Sequence, residues 1–113
     1  MSQLSEMEQG EHYCHILQSK CRNLIQLARS KEIMGLCDNP YSLTFYLTTF
    51  EQIVENPVLL IKAIQNLVKG KTAEQIMAEL VKSFCVREQH IDPKVRERLL
   101  RYAQFLKKVV DNE

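Results

Sequence analysis

The sequence has no tryptophan, only three glycines and three prolines, and no apolar run longer than Val58 to Ile61. A helix that spans a bilayer needs ~20 consecutive apolar residues, so no such span is encoded. The segment from Met1 to Glu8 has no basic stretch leading into an apolar one, and a secretory signal is not expected. A dominant charge is missing as well. Fifteen Lys and Arg against fourteen Asp and Glu leave a net charge of +1, which gives no global attraction to nucleic acid or to a membrane. Four cysteines without a signal predict free thiols in a reducing compartment, nucleus or cytoplasm. No internal repeat is strong enough to organise the chain.

What is present is ordinary soluble composition, 45% hydrophobic and 26% charged over 113 residues. A chain of this length forms one domain and buries roughly two-thirds of its unfolded surface without staples. Residues 1–12 carry Glu6, Glu8 and Glu11, no lysine or arginine, and Gly10. They read as a flexible acidic lead-in, followed by a single helical domain over 13–113. Cys14, Leu17, Cys21, Leu24 and Ala28 recur at steps of three and four, one face of a helix running to about Ser30. A short turn or helix is expected around Ile33 to Cys37, and Asp38-Asn39-Pro40 breaks the chain. Tyr41 to Glu55 alternates in part, as a strand would. Leu43, Tyr46, Leu47, Phe50, Ile53 and Val54 nevertheless fit the helical template over a longer window, and a lone strand would lack a partner.

Three helices with their own start signals follow. Asn56 and Pro57 supply an N-cap and a first-turn proline, and Gly70 ends that helix in the left-handed conformation. Thr72 and Gln75 form a capping box. Asp92 and Pro93 repeat the cap-and-proline start. The inward stripes are Leu60, Ala63, Ile64 and Leu67; then Ala73, Ile76, Met77, Leu80, Val81 and Phe84; then Val95, Leu99, Tyr102, Ala103, Leu106 and Val110. The fold class is an all-α bundle of five to six helices with short loops.

Candidate chemistry is sparse. His12, Cys14, His15 and Cys21 cluster, but Cys14 and Cys21 stand two helical turns apart and do not share one ion, so no metal and no cofactor are expected. Cys85 and His90 could pair as thiol and imidazole, but no motif places a third orienting group, and no enzyme is expected. Lys69-Gly70-Lys71-Thr72 resembles the end of a phosphate-binding loop. The required earlier glycine is Gln65 and a helix precedes the motif, so it reads as one helix end running into the next helix start. The strongest asymmetry is in the last helix. Lys94, Arg96, Arg98, Arg101, Lys107 and Lys108 face one acid, Glu97, before Asp111. These six are the candidate partner-binding residues, for an acidic peptide or helix of a protein partner. Nucleic acid is a weaker candidate.

Residues 56–113 carry a further pattern: Leu67, Thr72, Ile76, Met77, then Val86-Arg87-Glu88-Gln89, then Asp92, Val95-Arg96, Ala103 and Leu106-Lys107-Lys108-Val109-Val110. It resembles the N-terminal helical domain of the transcription elongation factor TFIIS, shared with Elongin A and a Mediator subunit. Leu106 stands where that family has its tryptophan, and the Ile-Gly pair before the arginine is missing. The resemblance implies a small nuclear module that docks short motifs of the transcription machinery. The function expected is thus a non-enzymatic adaptor or scaffold. The alternative is a structural subunit that self-associates through Cys14, Leu17, Cys21 and Leu24, whose spacing is heptad-like, giving a homo-oligomer.

Overall fold

Asparagine, threonine and aspartate side chains start four of the helices. The computed structural model describes the backbone of residues 6–111 and the side chains of residues 13–111. Along it run α1 (Glu6–Ala28), α2 (Lys31–Met34), α3 (Pro40–Val54), α4 (Pro57–Val68), α5 (Ala73–Ser83), a single 3-10 turn (Glu88–His90) and α6 (Pro93–Asp111). There is no strand among the described residues. The chain is all-α, as its periodicity predicts.

Asn39 Oδ1 accepts the Ser42 N–H at 3.1 Å and Asn56 Oδ1 accepts the Leu59 N–H at 3.3 Å. The capping box at α5 is complete. Gln75 N–H donates to Thr72 Oγ1 at 3.2 Å, and Thr72 N–H donates to Gln75 Oε1 at 2.8 Å. Asp92 Oδ1 accepts the Lys94 N–H at 2.8 Å. Each such cap satisfies a donor the helix itself leaves open and contributes about 1 kcal/mol. Asp38-Asn39-Pro40 both breaks the chain and begins α3, with Pro40 in its first turn. The ambiguous stretch from Tyr41 is helical to Val54.

One expected boundary is corrected. The helix expected from Tyr13 begins at Glu6, inside the segment read as a lead-in; residues 1–5 of that segment lie outside the described residues. Gly10 costs about 1 kcal/mol in a helix interior, which does not end a helix of 23 residues held downstream by a packed stripe.

The helices close around one core. α5 packs on α6, α1 on α3 and α6, and α4 on α3 and α6. Ile76, Met77, Leu80, Val81 and Phe84 are buried from α5 and its C-terminal end, and Val95, Leu99, Ala103 and Leu106 from α6. Burying each large aliphatic or aromatic side chain contributes roughly 1.5–3 kcal/mol. Tyr46 meets Phe50 and Phe84 edge-on, with ring centroids 6.1 and 6.4 Å away, and so joins α3 to the end of α5. No helix among the described residues is long and apolar enough to cross a membrane.

The heptad-like stripe of α1 turns inward. Leu17, Cys21 and Leu24 are 2%, 1% and 2% exposed in the chain's own core, and Cys14 is half-buried at its edge. The core of the monomer occupies the seam that self-association would need. Sequence periodicity cannot distinguish these two uses of one apolar face. One polar residue accompanies the stripe: buried Gln18 donates from Nε2 to the Val54 carbonyl at 2.8 Å, linking α1 to the last turn of α3.

Candidate functional site

The six bases of α6 do not form one surface. With about 100° per residue, Lys94, Arg98, Arg101 and Phe105 follow steps of four, three and four along one flank, the flank toward α1. Arg96 and Lys107 fall on the other flank, and the protein itself engages both. Arg96 pairs with Glu88 at 2.8 Å and ties α6 to the 3-10 turn. Lys107 donates from Nζ to the Lys71 carbonyl at 3.1 Å, across to the α4–α5 connection. Lys71 in turn donates to the Leu67 carbonyl at 2.9 Å. These lysines line a shallow hollow of about 640 Å³ with Gln65, Lys69 and Asp111. Two of its ammonium groups already serve backbone carbonyls that close the turn, so the hollow is chiefly part of the fold's own fastening.

The α1 flank differs. Lys20 of α1 joins Arg98, Arg101, Tyr102 and Phe105 around a cavity of about 190 Å³. Lys20 Nζ lies 5.7 Å from the centre of the Phe105 ring, within cation–π range. Arg101 pairs with Glu97 one turn back at 2.8 Å, but both side chains are well exposed, 71% and 62%. Such a pair contributes a few tenths of a kcal/mol and yields readily to a competitor. The Arg98 side chain makes no hydrogen bond or ion pair among the described residues. Its charge reaches Glu32 at the start of α2. That carboxyl is held below its usual range chiefly by a hydrogen bond to its own backbone and another to Ser30, with Arg98 a smaller cause. The side chains of Lys94 and Lys108 are exposed and likewise make no such bond among the described residues.

No family model matches this chain, and no curated protein or solved structure does. The reading of the site therefore stands on its geometry. A cavity of about 190 Å³ falls below the roughly 300–1,000 Å³ that holds a cofactor or drug-sized ligand. It accommodates a side chain or a single anionic group. Three cations around two rings would favour a carboxylate with apolar atoms beside it. Lys20, Tyr102 and Phe105 line this cavity without having been site candidates in the sequence, where Tyr102 was read as part of the inward stripe. Lys20 lies on α1, and only the tertiary packing of α1 on α6 brings it to the cavity. Phe105 did carry a signal, because it continues the helical spacing of Arg98 and Arg101.

Other candidates stand apart. His90 is exposed on the 3-10 turn, while the groups that act on the Cys85 thiol are Cys37 and Asp38, with no imidazole among them. Gly70 takes a φ of 69° between the cap of α4 and the capping box of α5, the helix-end role its sequence context implies. On α3, Tyr41 and Phe45, one turn apart, are 90% and 76% exposed.

Proposed function

We propose that the chain is a non-enzymatic interaction module that captures an acidic segment of a protein partner in the cleft between α1 and α6. Lys20, Arg98 and Arg101 supply the charge, and Tyr102 and Phe105 supply the apolar floor. Lys94 extends the positive flank and steers approach, while Lys108 lies beside Thr72, Ala73 and Lys107. The observation that carries this reading is the convergence of three cations on a small aromatic-floored cavity, in a chain whose net charge is +1. The partial resemblance of residues 56–113 to the TFIIS N-terminal domain supports placing such a partner in the nuclear transcription machinery.

The test is a fluorescence-anisotropy titration with labelled acidic peptides containing an aromatic residue. Sequence-scrambled acidic peptides, neutral peptides and a DNA duplex serve as comparison arms. Arg98→Glu with Arg101→Glu should weaken the acidic-aromatic peptide at least tenfold, since each exposed charge contact contributes about 0.2–1 kcal/mol and reversal adds repulsion. Thermal stability should stay unchanged. Reversing Lys62 and Lys82, exposed on α4 and α5, makes the same change in net charge and should leave binding within twofold. Equal losses in both double variants, or tighter binding of the duplex than of the peptide, would overturn the proposal.

A further inference from the structure

The four cysteines are free thiols in three different settings. Cys21 is enclosed in the core and Cys14 lies on α1. Cys37 and Cys85 are half-buried, one in the α2–α3 connection and one just after α5, and the Cys37 thiol is close enough to act on that of Cys85. The backbone holds the same two segments together. Asp38 N–H, on the peptide that follows Cys37, donates to the Cys85 carbonyl at 3.0 Å.

Cys85 also occupies an unusual position. Val86 N–H donates to the Val81 carbonyl at 3.4 Å and Cys85 N–H to the Lys82 carbonyl at 3.0 Å. This is the Schellman ending of α5, in which the residue after the cap is left-handed and usually glycine. Here it is cysteine, with φ 58°, the one non-glycine residue at positive φ among those described. A side chain in that conformation is strained. Glycine would end the helix at less cost, so helix termination does not explain the thiol.

We infer that Cys37 and Cys85 are a redox-active pair that closes into a reversible intramolecular disulfide, with glutathione disulfide or a similar small disulfide as oxidant. One protein thiolate attacks a glutathione sulfur, releases one glutathione thiol and leaves a mixed disulfide. The second thiolate attacks the protein sulfur of that mixed disulfide and expels the other glutathione thiol. Two protein thiols are oxidised and one glutathione disulfide is reduced to two thiols, so the exchange balances. The backbone bond that holds the Cys37–Asp38 peptide on Cys85 keeps the two thiols on adjoining segments and makes the second step intramolecular, where oriented groups gain most. The disulfide would tie the α2–α3 connection to the end of α5 and enclose α3, α4 and α5 in one covalent loop. Burial, with smaller contributions from Cys37 and Asp38, pushes the Cys85 thiol above its ordinary range, and this slows its step at neutral pH.

The experiment uses the full folded chain, incubated with excess glutathione disulfide or with glutathione, then blocked with N-ethylmaleimide. Non-reducing peptide mapping and thermal melts follow. The expected result is a Cys37–Cys85 cross-linked peptide, reversed by dithiothreitol, with a rise in Tm of about 10 °C. Cys37→Ser should abolish both signals and Cys14→Ser neither. Cys85→Gly suits the left-handed position, so it folds and also lacks the cross-link. The inference is overturned by glutathione remaining as a mixed disulfide on either cysteine, by cross-links through Cys14 or between copies, or by a Cys37–Cys85 bond that forms only in urea.

Discussion

Gln18→Met isolates one interaction between α1 and α3. The Val54 carbonyl belongs to the last turn of α3, whose final carbonyls have no intrahelical partner. Glu55 and Asn56 N–H groups serve the carbonyls of Glu51 and Ile53, while Val54 receives the Gln18 amide at 2.8 Å. Methionine preserves the length of the side chain and removes the donor. A buried acceptor left without its partner costs about 1–3 kcal/mol, and the better burial of a thioether offsets part of that. A net loss of about 1.5 kcal/mol is expected, or a fall of about 6 °C in Tm for a domain of this size. Urea unfolding followed by circular dichroism should show a lower midpoint with the slope unchanged. Gln26→Met, at an exposed position on the same helix, should change stability by less than about 0.5 kcal/mol. If Gln18→Met matches Gln26→Met, the bond contributes nothing and the argument from helix-end satisfaction is wrong.

Two further outcomes test the fold. Gly70→Ala should cost about 1–2 kcal/mol from backbone conformation alone, because φ is 69° and an added Cβ meets nothing within 4 Å; chemical denaturation giving wild-type stability refutes this. Burial pushes the Cys21 thiol from 9.0 to about 12. Its folded value lies above the unfolded one, so the stability tied to the neutral thiol is complete below about pH 9 and declines as pH rises toward 12. The slope from this group approaches about 1.4 kcal/mol per pH unit. Cys21→Ala should be less stable at neutral pH but lose stability less steeply above about pH 9, even though Tyr46, also raised by burial, still contributes. Parallel stability curves for the two proteins would contradict the assignment.

Much of the fold was legible because its signals are local. Asn56-Pro57, Thr72 with Gln75, and Asp92-Pro93 act on backbone groups within three residues of themselves, and the apolar stripes of α5 and α6 repeat over several turns. What was illegible is non-local or too short for a period. Ile33, Val86 and Ile91 are buried, but they lie in α2 or in connections where no repeat marks them. Gln18 falls beside the apolar stripe as a polar residue, and its burial follows from Val54, far away in sequence. The start of α1 at Glu6 was hidden because Gly10 reads as punctuation, although its cost is small beside what the packed stripe supplies.

The same distinction explains the site. Composition locates positive charge on α6 but cannot say which charges the fold has already used. Arg96 and Lys107 meet Glu88 and the Lys71 carbonyl, so an incoming carboxylate must displace an existing partner to reach either one. Arg98 has no such partner among the described residues, and the exposed Glu97 pair restrains Arg101 only weakly. Lys20, an exposed residue, holds its ammonium group over a ring. An acidic ligand binds with the free energy of its new interactions less that of the interactions it displaces. For the proposed acidic ligand the balance would be most favourable on the α1 flank, where little must be displaced and Lys20 adds a charge that the α6 sequence lacks.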